Sequence, residues 1–185
     1  MPDKSTSGDA GFGAGELAAS LRQFFCDSTF LYRDVELDST IHELYQPGRL
    51  FREPNLLVAS NKFGGFAANT RFVIVTTTPR EISNLVEHVE WGLCVLERNQ
   101  LLKVIDRQSY GPYHQITLIH ITHEFDYFFR SGESRQFEQS LCILARLKLT
   151  QACRLQPLAA LMSQAWKDRT TWPLGLNNEG HLLIA

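Results

Sequence analysis

The sequence lacks any pair of cysteines close enough together for a metal-binding knuckle. Its four cysteines, Cys26, Cys94, Cys142 and Cys153, are far apart, and no CxxC pattern occurs. Metal knuckles depend on such short spacings, so the cysteine pattern gives no support for that class of site. Each cysteine has apolar neighbours, which predicts buried, reduced thiols. We therefore expect no bound metal and no other cofactor.

A strong charge of either sign is absent too. The chain has 18 basic and 20 acidic residues, for a net charge of -2, and its pI is about 6.3. Such a balance provides no field that attracts nucleic acid or an anionic membrane. No apolar run has the length of a membrane span, and residues 1–5 lack the apolar core of a signal peptide. The prediction is a cytoplasmic protein with neither a nucleic-acid nor a membrane partner.

The composition is that of an ordinary globular protein. Hydrophobic residues make up 44% of the 185 residues and charged residues 21%, enough for one domain with a real core. Residues 1–14 are mostly glycine, alanine, serine and aspartate, with Phe12 as the one large apolar anchor. This stretch predicts a disordered N-terminal tail. Residues 15–185 are then predicted to form a single globular domain.

The most informative stretch lies in the middle of the chain. Phe72–Val75 is an apolar, β-favouring run, typical of a strand that is buried on both faces. Thr78 is suited to cap a helix, Pro79 suits the first helical turn, and Glu81 stands where a capping box needs a carboxylate. With a further strand predicted at 91–96, this stretch predicts a short β-α-β segment.

The remaining periodicities predict an α+β fold. Apolar runs indicate further strands at 30–37, 56–59, 101–106 and 114–121, and helical spacing indicates helices at 16–26, at 133–155 and after Pro157. The polar residues 97–100 are expected to join two strands as a hairpin. Residues 174–184 predict a second, smaller hairpin that pairs with a sheet edge or docks on a partner. We expect a mixed or mainly antiparallel sheet of about five strands, covered by helices.

The loop at 61–69 combines a loose backbone with aromatic side chains. Two glycines give the backbone freedom, while two phenylalanines are costly to leave in water. Such a loop could close over a ligand or stack on bases beside its basic neighbours. The alternative is that both rings fold into the core. The predicted binding residues are Lys62, Phe63, Gly64, Gly65, Phe66 and Arg71.

Two clusters in the sequence contain potential metal ligands or general bases. Asp34, Glu36 and Asp38 alternate on one face of a predicted strand, which is more typical of a charged sheet edge than of a cation site. A denser set lies at the end of another strand: His114, His120, His123, Glu124 and Asp126. A strand end points His120 and His123 apart, and HExxH is absent, so no catalytic residue and no metal ligand is assigned.

The absence of a catalytic constellation decides the functional prediction. We predict a non-catalytic binding or assembly protein that uses an apolar, aromatic surface to bind a protein partner or a second copy of itself. A first alternative is a metal- or histidine-dependent hydrolase or nuclease-like enzyme that uses the cluster at 114–126. A second is a small-molecule sensor or carrier with the loop at 61–69 as its lid.

Overall fold

A computed structural model describes residues 26–185. The predicted tail at 1–14 and nearly all of the helix predicted at 16–26 lie outside the described residues. None of the helices in the described part has the length and apolarity needed to span a bilayer.

Eight strands form one mixed sheet within residues 26–185. They are β1 Thr29–Val35, β2 Leu50–Glu53, β3 Leu57–Ser60, β4 Thr70–Thr76, β5 Arg80–Glu81, β6 Leu93–Leu96, β7 Gln100–Tyr110 and β8 Tyr113–Ile121. Their order across the sheet is β2-β7-β8-β4-β1-β3-β6-β5. Neighbouring strands are antiparallel, apart from the parallel pair β4 and β8. The predicted α+β class and mainly antiparallel sheet are confirmed, but the sheet is larger than the five strands expected.

The described helices are few and mostly short. They are α1 Ser39–His42, α2 Asp126–Ser131, α3 Arg135–Ala152 and α4 Gln164–Thr170, with single 3-10 turns at Ser83–Leu85, Val89–Trp91, His123–Phe125 and Ala159–Met162. The long helix predicted at 133–155 is confirmed as α3. Its apolar side packs on the sheet, where Phe137 and Leu141 join Val75 and Ile119 in one buried cluster.

Strand β4 occupies the inner position that its sequence predicts. All seven of its residues are buried, and it pairs with β1 on one side and β8 on the other. Phe72 and Ile74 belong to the core cluster on one face of the sheet, and Val75 belongs to the cluster under α3 on the other. An unbroken apolar run is needed here because both faces of the strand are covered.

The helix predicted after β4 is absent, and the predicted β-α-β segment is wrong. The chain instead forms the short strand β5, which pairs with β6, and then two 3-10 turns. Glu81 accepts a hydrogen bond from the hydroxyl of Ser83, and Thr78 donates its backbone N–H to Oγ1 of Thr76. Capping residues are also ordinary turn residues, and here pairing with β6 outweighs the local helix signal.

The hairpin predicted across residues 97–100 is also wrong. β6 pairs with β3 and β5, whereas β7 pairs with β2 and β8. Four strands lie between β6 and β7 in the sheet, a distance of roughly 24 Å if the sheet were flat. The link from Leu96 to Gln100 spans at most about 14 Å. The sheet must therefore curl, which brings the end of β6 next to the start of β7.

The last residues pair with the edge of the sheet, as predicted. The backbone N–H of Arg52 in β2 donates to the carbonyl of Leu183 at 2.8 Å, and Phe51 forms an isolated bridge with Ile184. A second bridge joins Leu176 and Leu182 across a tight turn. This segment therefore covers the open edge of β2, a common way of protecting an edge strand.

Candidate functional site

The curl of the sheet opens a cleft of about 500 Å³ where β6 ends and β7 begins. Its wall is built from six separate parts of the chain: the ends of β2, β6 and β8, the start of β7, strand β5 and helix α2. Strand ends are good positions for functional side chains, because the sheet fixes them while the loops leave room for a ligand. We call this the arginine cleft, after Arg52, Arg80 and Arg130, which line it.

The three arginines of the cleft are only weakly held by other groups. Arg80 Nη2 lies 2.5 Å from a carboxylate oxygen of Glu97, but both side chains are exposed, by 71% and 64%. Arg130 Nε lies 2.6 Å from Asp126, and this pair is 39% and 43% exposed. Arg52 makes a long contact of 3.4 Å to the carbonyl of Asn99. Exposed ion pairs contribute about 1 kcal/mol or less, so an anionic ligand can replace these partners at small cost.

The floor of the cleft holds a buried histidine, His120. Its Nε2 lies 2.5 Å from Oε1 of Gln100, and its Nδ1 lies 2.9 Å from Oγ1 of Thr76. Because the amide oxygen of Gln100 can only accept, Nε2 carries the proton, and Nδ1 accepts from the hydroxyl of Thr76. Burial lowers the pKa of His120 to about 4. The ring is therefore neutral at pH 7, and it fixes the position of Gln100 in the cleft wall.

A further group in the cleft is the buried hydroxyl of a threonine. Thr122, just beyond β8, lines the cleft, and its Oγ1 is buried without a hydrogen-bond partner in the described structure. A buried polar atom left in this way costs about 1–3 kcal/mol. A ligand or an ordered water in the cleft would satisfy it.

The structure brings the six predicted binding residues together, but away from the arginine cleft. Arg71 is buried and donates to the carbonyls of Gly64 and Gly65 at 2.9 and 2.8 Å. Phe66 is also buried and stacks on Tyr113, with ring centroids 4.6 Å apart. The remaining two are less enclosed: Phe63 is half-buried and Lys62 is exposed. That this loop binds a ligand stays a prediction.

The packing of Gly65 explains why the loop contains glycine there. A Cβ at this position would lie 2.2 Å from the carbonyl oxygen of Leu155, because the chain after α3 passes directly against the loop. Gly65 also donates its backbone N–H to the carbonyl of Gln156 at 2.9 Å. The glycine therefore serves a close approach of two backbone segments.

The fold keeps three members of the predicted cluster at 114–126 in one cleft and separates His114 from them. His120, His123 and Asp126 line the arginine cleft, whereas His114 lies in a different cleft. Within residues 26–185 no three His, Cys, Asp or Glu side chains are grouped as metal ligands.

The acidic face of β1 is engaged in structural contacts. Asp34 pairs with Arg71, Glu36 accepts the backbone N–H of Asn69 at 3.2 Å, and Asp38 caps α1 through the N–H of Ile41. These carboxylates stabilise the loop and the helix start, which accounts for their alternation.

The three arginines of the cleft are not apparent from the sequence. Arg52, Arg80 and Arg130 lie in three distant segments, and no motif or spacing connects them. The signal that would have found them is the curl of the sheet, which depends on strand order. Strand order cannot be obtained from periodicity.

Comparison with known proteins gives matches at the level of the fold. No family model and no curated protein matches the sequence. The type III effector XopAI from Xanthomonas axonopodis pv. citri matches with a TM-score of 0.45 and 14% identity, over 51% of this chain and 44% of that one. The ADP-ribosyltransferase HopU1 of Pseudomonas syringae pv. Tomato DC3000 matches with a TM-score of 0.45 and 14% identity, over 65% and 61%. C3stau2 from S. aureus, solved with NAD, matches with a TM-score of 0.45 and 12% identity, over 60% and 73%.

These matches correct the functional prediction. The non-catalytic binding or assembly protein expected from the sequence is wrong, since solved structures that resemble the chain include ADP-ribosyltransferases, which are enzymes. The chain spans less than two thirds of the length of XopAI and HopU1. At 11–15% identity the likeness concerns the fold and transfers no residue role.

Proposed function

We propose that the chain is an enzyme that takes an anionic, phosphate-bearing small molecule of the nucleotide class into the arginine cleft. The observation that carries this proposal is the presence of three guanidinium groups, from β2, β5 and α2, in one cleft of about 500 Å³. A volume of this size is typical of small-molecule sites.

The charge of the cleft supports an anionic ligand. Three arginines face two carboxylates, Glu97 and Asp126, which leaves a formal charge of +1 with His120 and His123 both counted as uncharged. Guanidinium groups bind phosphate through two parallel hydrogen bonds, a geometry that the ammonium group of lysine does not provide. A phosphate would therefore displace the exposed carboxylates from Arg80 and Arg130.

The rest of the wall suits the other parts of a nucleotide. Val95, Leu96, Leu101 and Ile121 provide apolar surface against which a base ring can pack. Thr122 provides a buried hydroxyl that has no hydrogen-bond partner within residues 26–185, and Gln100 provides an amide held by His120. Polar atoms at fixed positions on an apolar wall are typical of sites that orient a small ligand.

NAD is the first ligand to test, because it combines two phosphates with two aromatic rings. If NAD binds, the expected reaction is ADP-ribosyl transfer. In this proposal Arg52, Arg80 and Arg130 hold the phosphates, and Thr122 donates to or accepts from a polar group of the ligand. Bound NAD would supply its ADP-ribose part for transfer to an acceptor, and nicotinamide would be the leaving group.

The test is calorimetric titration of NAD and ADP into the wild type and into Arg52→Gln, Arg130→Gln and the double variant. Each substitution removes a charge-assisted contact worth about 1.5–3 kcal/mol, so affinity is expected to fall by about tenfold or more. Arg154→Gln, an exposed arginine outside the cleft, is the matched control. Nicotinamide release from NAD is measured on the same samples. Equal binding by the wild type and the double variant would overturn the proposal, as would the absence of binding by any nucleotide.

A further inference from the structure

A second cleft, of about 410 Å³, shares no residue with the arginine cleft. Helix α1 forms one side of it and the β7–β8 hairpin forms the other. Ser39, His42 and Glu43 line it from the helix side, and Arg107, Ser109 and His114 line it from the hairpin.

Two histidine rings face each other in this second cleft. The ring centroids of His42 and His114 are 4.5 Å apart, and the ring planes are inclined by 48°. His42 is only 9% exposed, and its Nε2 is buried without a hydrogen-bond partner in the described structure. Nδ1 of His114 lies 2.8 Å from Oγ of Ser109, so a ligand would bind the other ring nitrogen, Nε2.

We propose that His42 and His114 bind one divalent transition-metal ion of the Zn²⁺ or Ni²⁺ kind through their Nε2 atoms. Zinc–nitrogen bonds are about 2.0–2.1 Å long, which places two imidazole centroids on one ion roughly 5 Å apart. The observed separation of 4.5 Å is close to this value. The hydrogen bond from Nδ1 of His114 to Ser109 is the kind of outer contact that orients a metal-binding imidazole.

The electrostatics of the second cleft favour a cation over an anion. Burial, together with the neighbouring His114 and Arg107, lowers the pKa of His42 below its ordinary value, which favours the uncharged ring that a metal ion needs. Asp38 and Glu43 also line the cleft and would repel an anion. Arg107 is already engaged, at 3.1 Å from Glu43 and 3.2 Å from the carbonyl of His42.

The site supplies two protein ligands, and water completes the coordination. No third His, Cys, Asp or Glu is grouped with these two histidines in the described structure. Zinc and nickel prefer imidazole nitrogen, whereas magnesium and calcium prefer oxygen. The site is therefore expected to take Zn²⁺ or Ni²⁺ and to ignore Mg²⁺ and Ca²⁺.

The test is calorimetric titration of Zn²⁺ into the reduced wild type and into His114→Gln, with His181→Gln as the control. His114 is half-buried, so its substitution is compatible with folding, and His181 is an exposed histidine outside the second cleft. We expect one Zn²⁺ per chain, at least a tenfold loss of affinity in His114→Gln, and no change in His181→Gln. Imidazole NMR signals of His42 and His114 should shift together on addition of the metal.

Three results would each overturn the proposal. The first is the absence of saturable Zn²⁺ binding by the wild type. The second is unchanged binding by His114→Gln, which would assign the metal to a thiol or to another histidine. The third is a set of shifted imidazole signals that excludes His42 or His114.

Discussion

Arg71 and Asp34 form a two-point ion pair in the interior of the protein. Arg71 Nε lies 2.6 Å from Oδ1 of Asp34, and Arg71 Nη2 lies 2.7 Å from Oδ2, with the side chains 2% and 6% exposed. Arg71 also donates to two loop carbonyls, and Asp34 Oδ2 accepts the backbone N–H of Ala67 at 2.8 Å. This pair therefore ties the loop at 61–69 to β1 and β4.

Replacement of Asp34 with Asn should destabilise the protein by about 3–5 kcal/mol, because it leaves the charge of Arg71 buried without its partner. Chemical denaturation measures the loss as a lower midpoint. Glu97→Gln is the control, since it breaks an exposed pair and should cost about 1 kcal/mol or less. Equal midpoints for the two variants would show that the buried pair is not what holds the loop.

The two phenylalanines of the loop should differ in their effect on stability. Phe66 is 5% exposed, stacks on Tyr113, and lies 4.5 Å below the guanidinium of Arg71, so Phe66→Ala should cost about 3–5 kcal/mol. Phe63 is half-buried against Tyr32, so Phe63→Ala should lower the free energy of unfolding by less. Denaturation midpoints measure both. A small cost for Phe66→Ala, together with loss of ligand binding, would instead support the loop as a recognition site.

Substitutions of Thr76 and Thr78 test the structure of the turn after β4, because the two threonines should differ in their effect on stability. Thr76→Val removes the hydroxyl that bonds His120 and accepts the N–H of Thr78, leaving buried groups unpaired, at a cost of about 1–3 kcal/mol. Thr78→Ala should change stability by no more than about 0.5 kcal/mol, because Thr78 caps no helix. A loss of about 1 kcal/mol in Thr78→Ala would contradict this and support the capped helix that the sequence predicts.

Stability should depend on pH through His120. Its pKa falls from 6.5 to about 4 on folding, because burial disfavours the charged ring. The unfolded chain therefore binds the proton more readily between these values, and stability falls as the pH drops from 6.5 towards 4. The full loss is about 3 kcal/mol. Denaturation of the wild type and of His120→Gln across this range measures it, and parallel pH curves for the two proteins would contradict the assignment.

The sequence predicted those elements whose burial is regular along the chain. β4 and β8 are inner strands, and their apolar runs give two-sided burial directly. Helix α3 has an apolar stripe that packs on the sheet. In each case the local pattern and the tertiary environment agree, which is the condition under which periodicity is informative.

The predictions from the sequence were wrong where a local signal competes with strand pairing. Thr78 and Glu81 favour a helix start, but Glu81 lies opposite Cys94 in the β5–β6 pair. The polar residues 97–100 resemble a hairpin turn, but they connect opposite parts of a curled sheet. The arginine cleft follows from that connection, so its residues could not be found before the strand order was known.

The pairing of β4 has a consequence for how the protein folds. Its neighbours are distant in sequence, since β2 and β3 separate it from β1, and β5, β6 and β7 separate it from β8. The β7–β8 hairpin can form locally, but its parallel docking on β4 must wait until a long intervening loop has closed. Folding dominated by such contacts takes roughly milliseconds to seconds. Until docking is complete, the free edge of β8 is open to pairing with other chains, so refolding yield should fall as protein concentration rises.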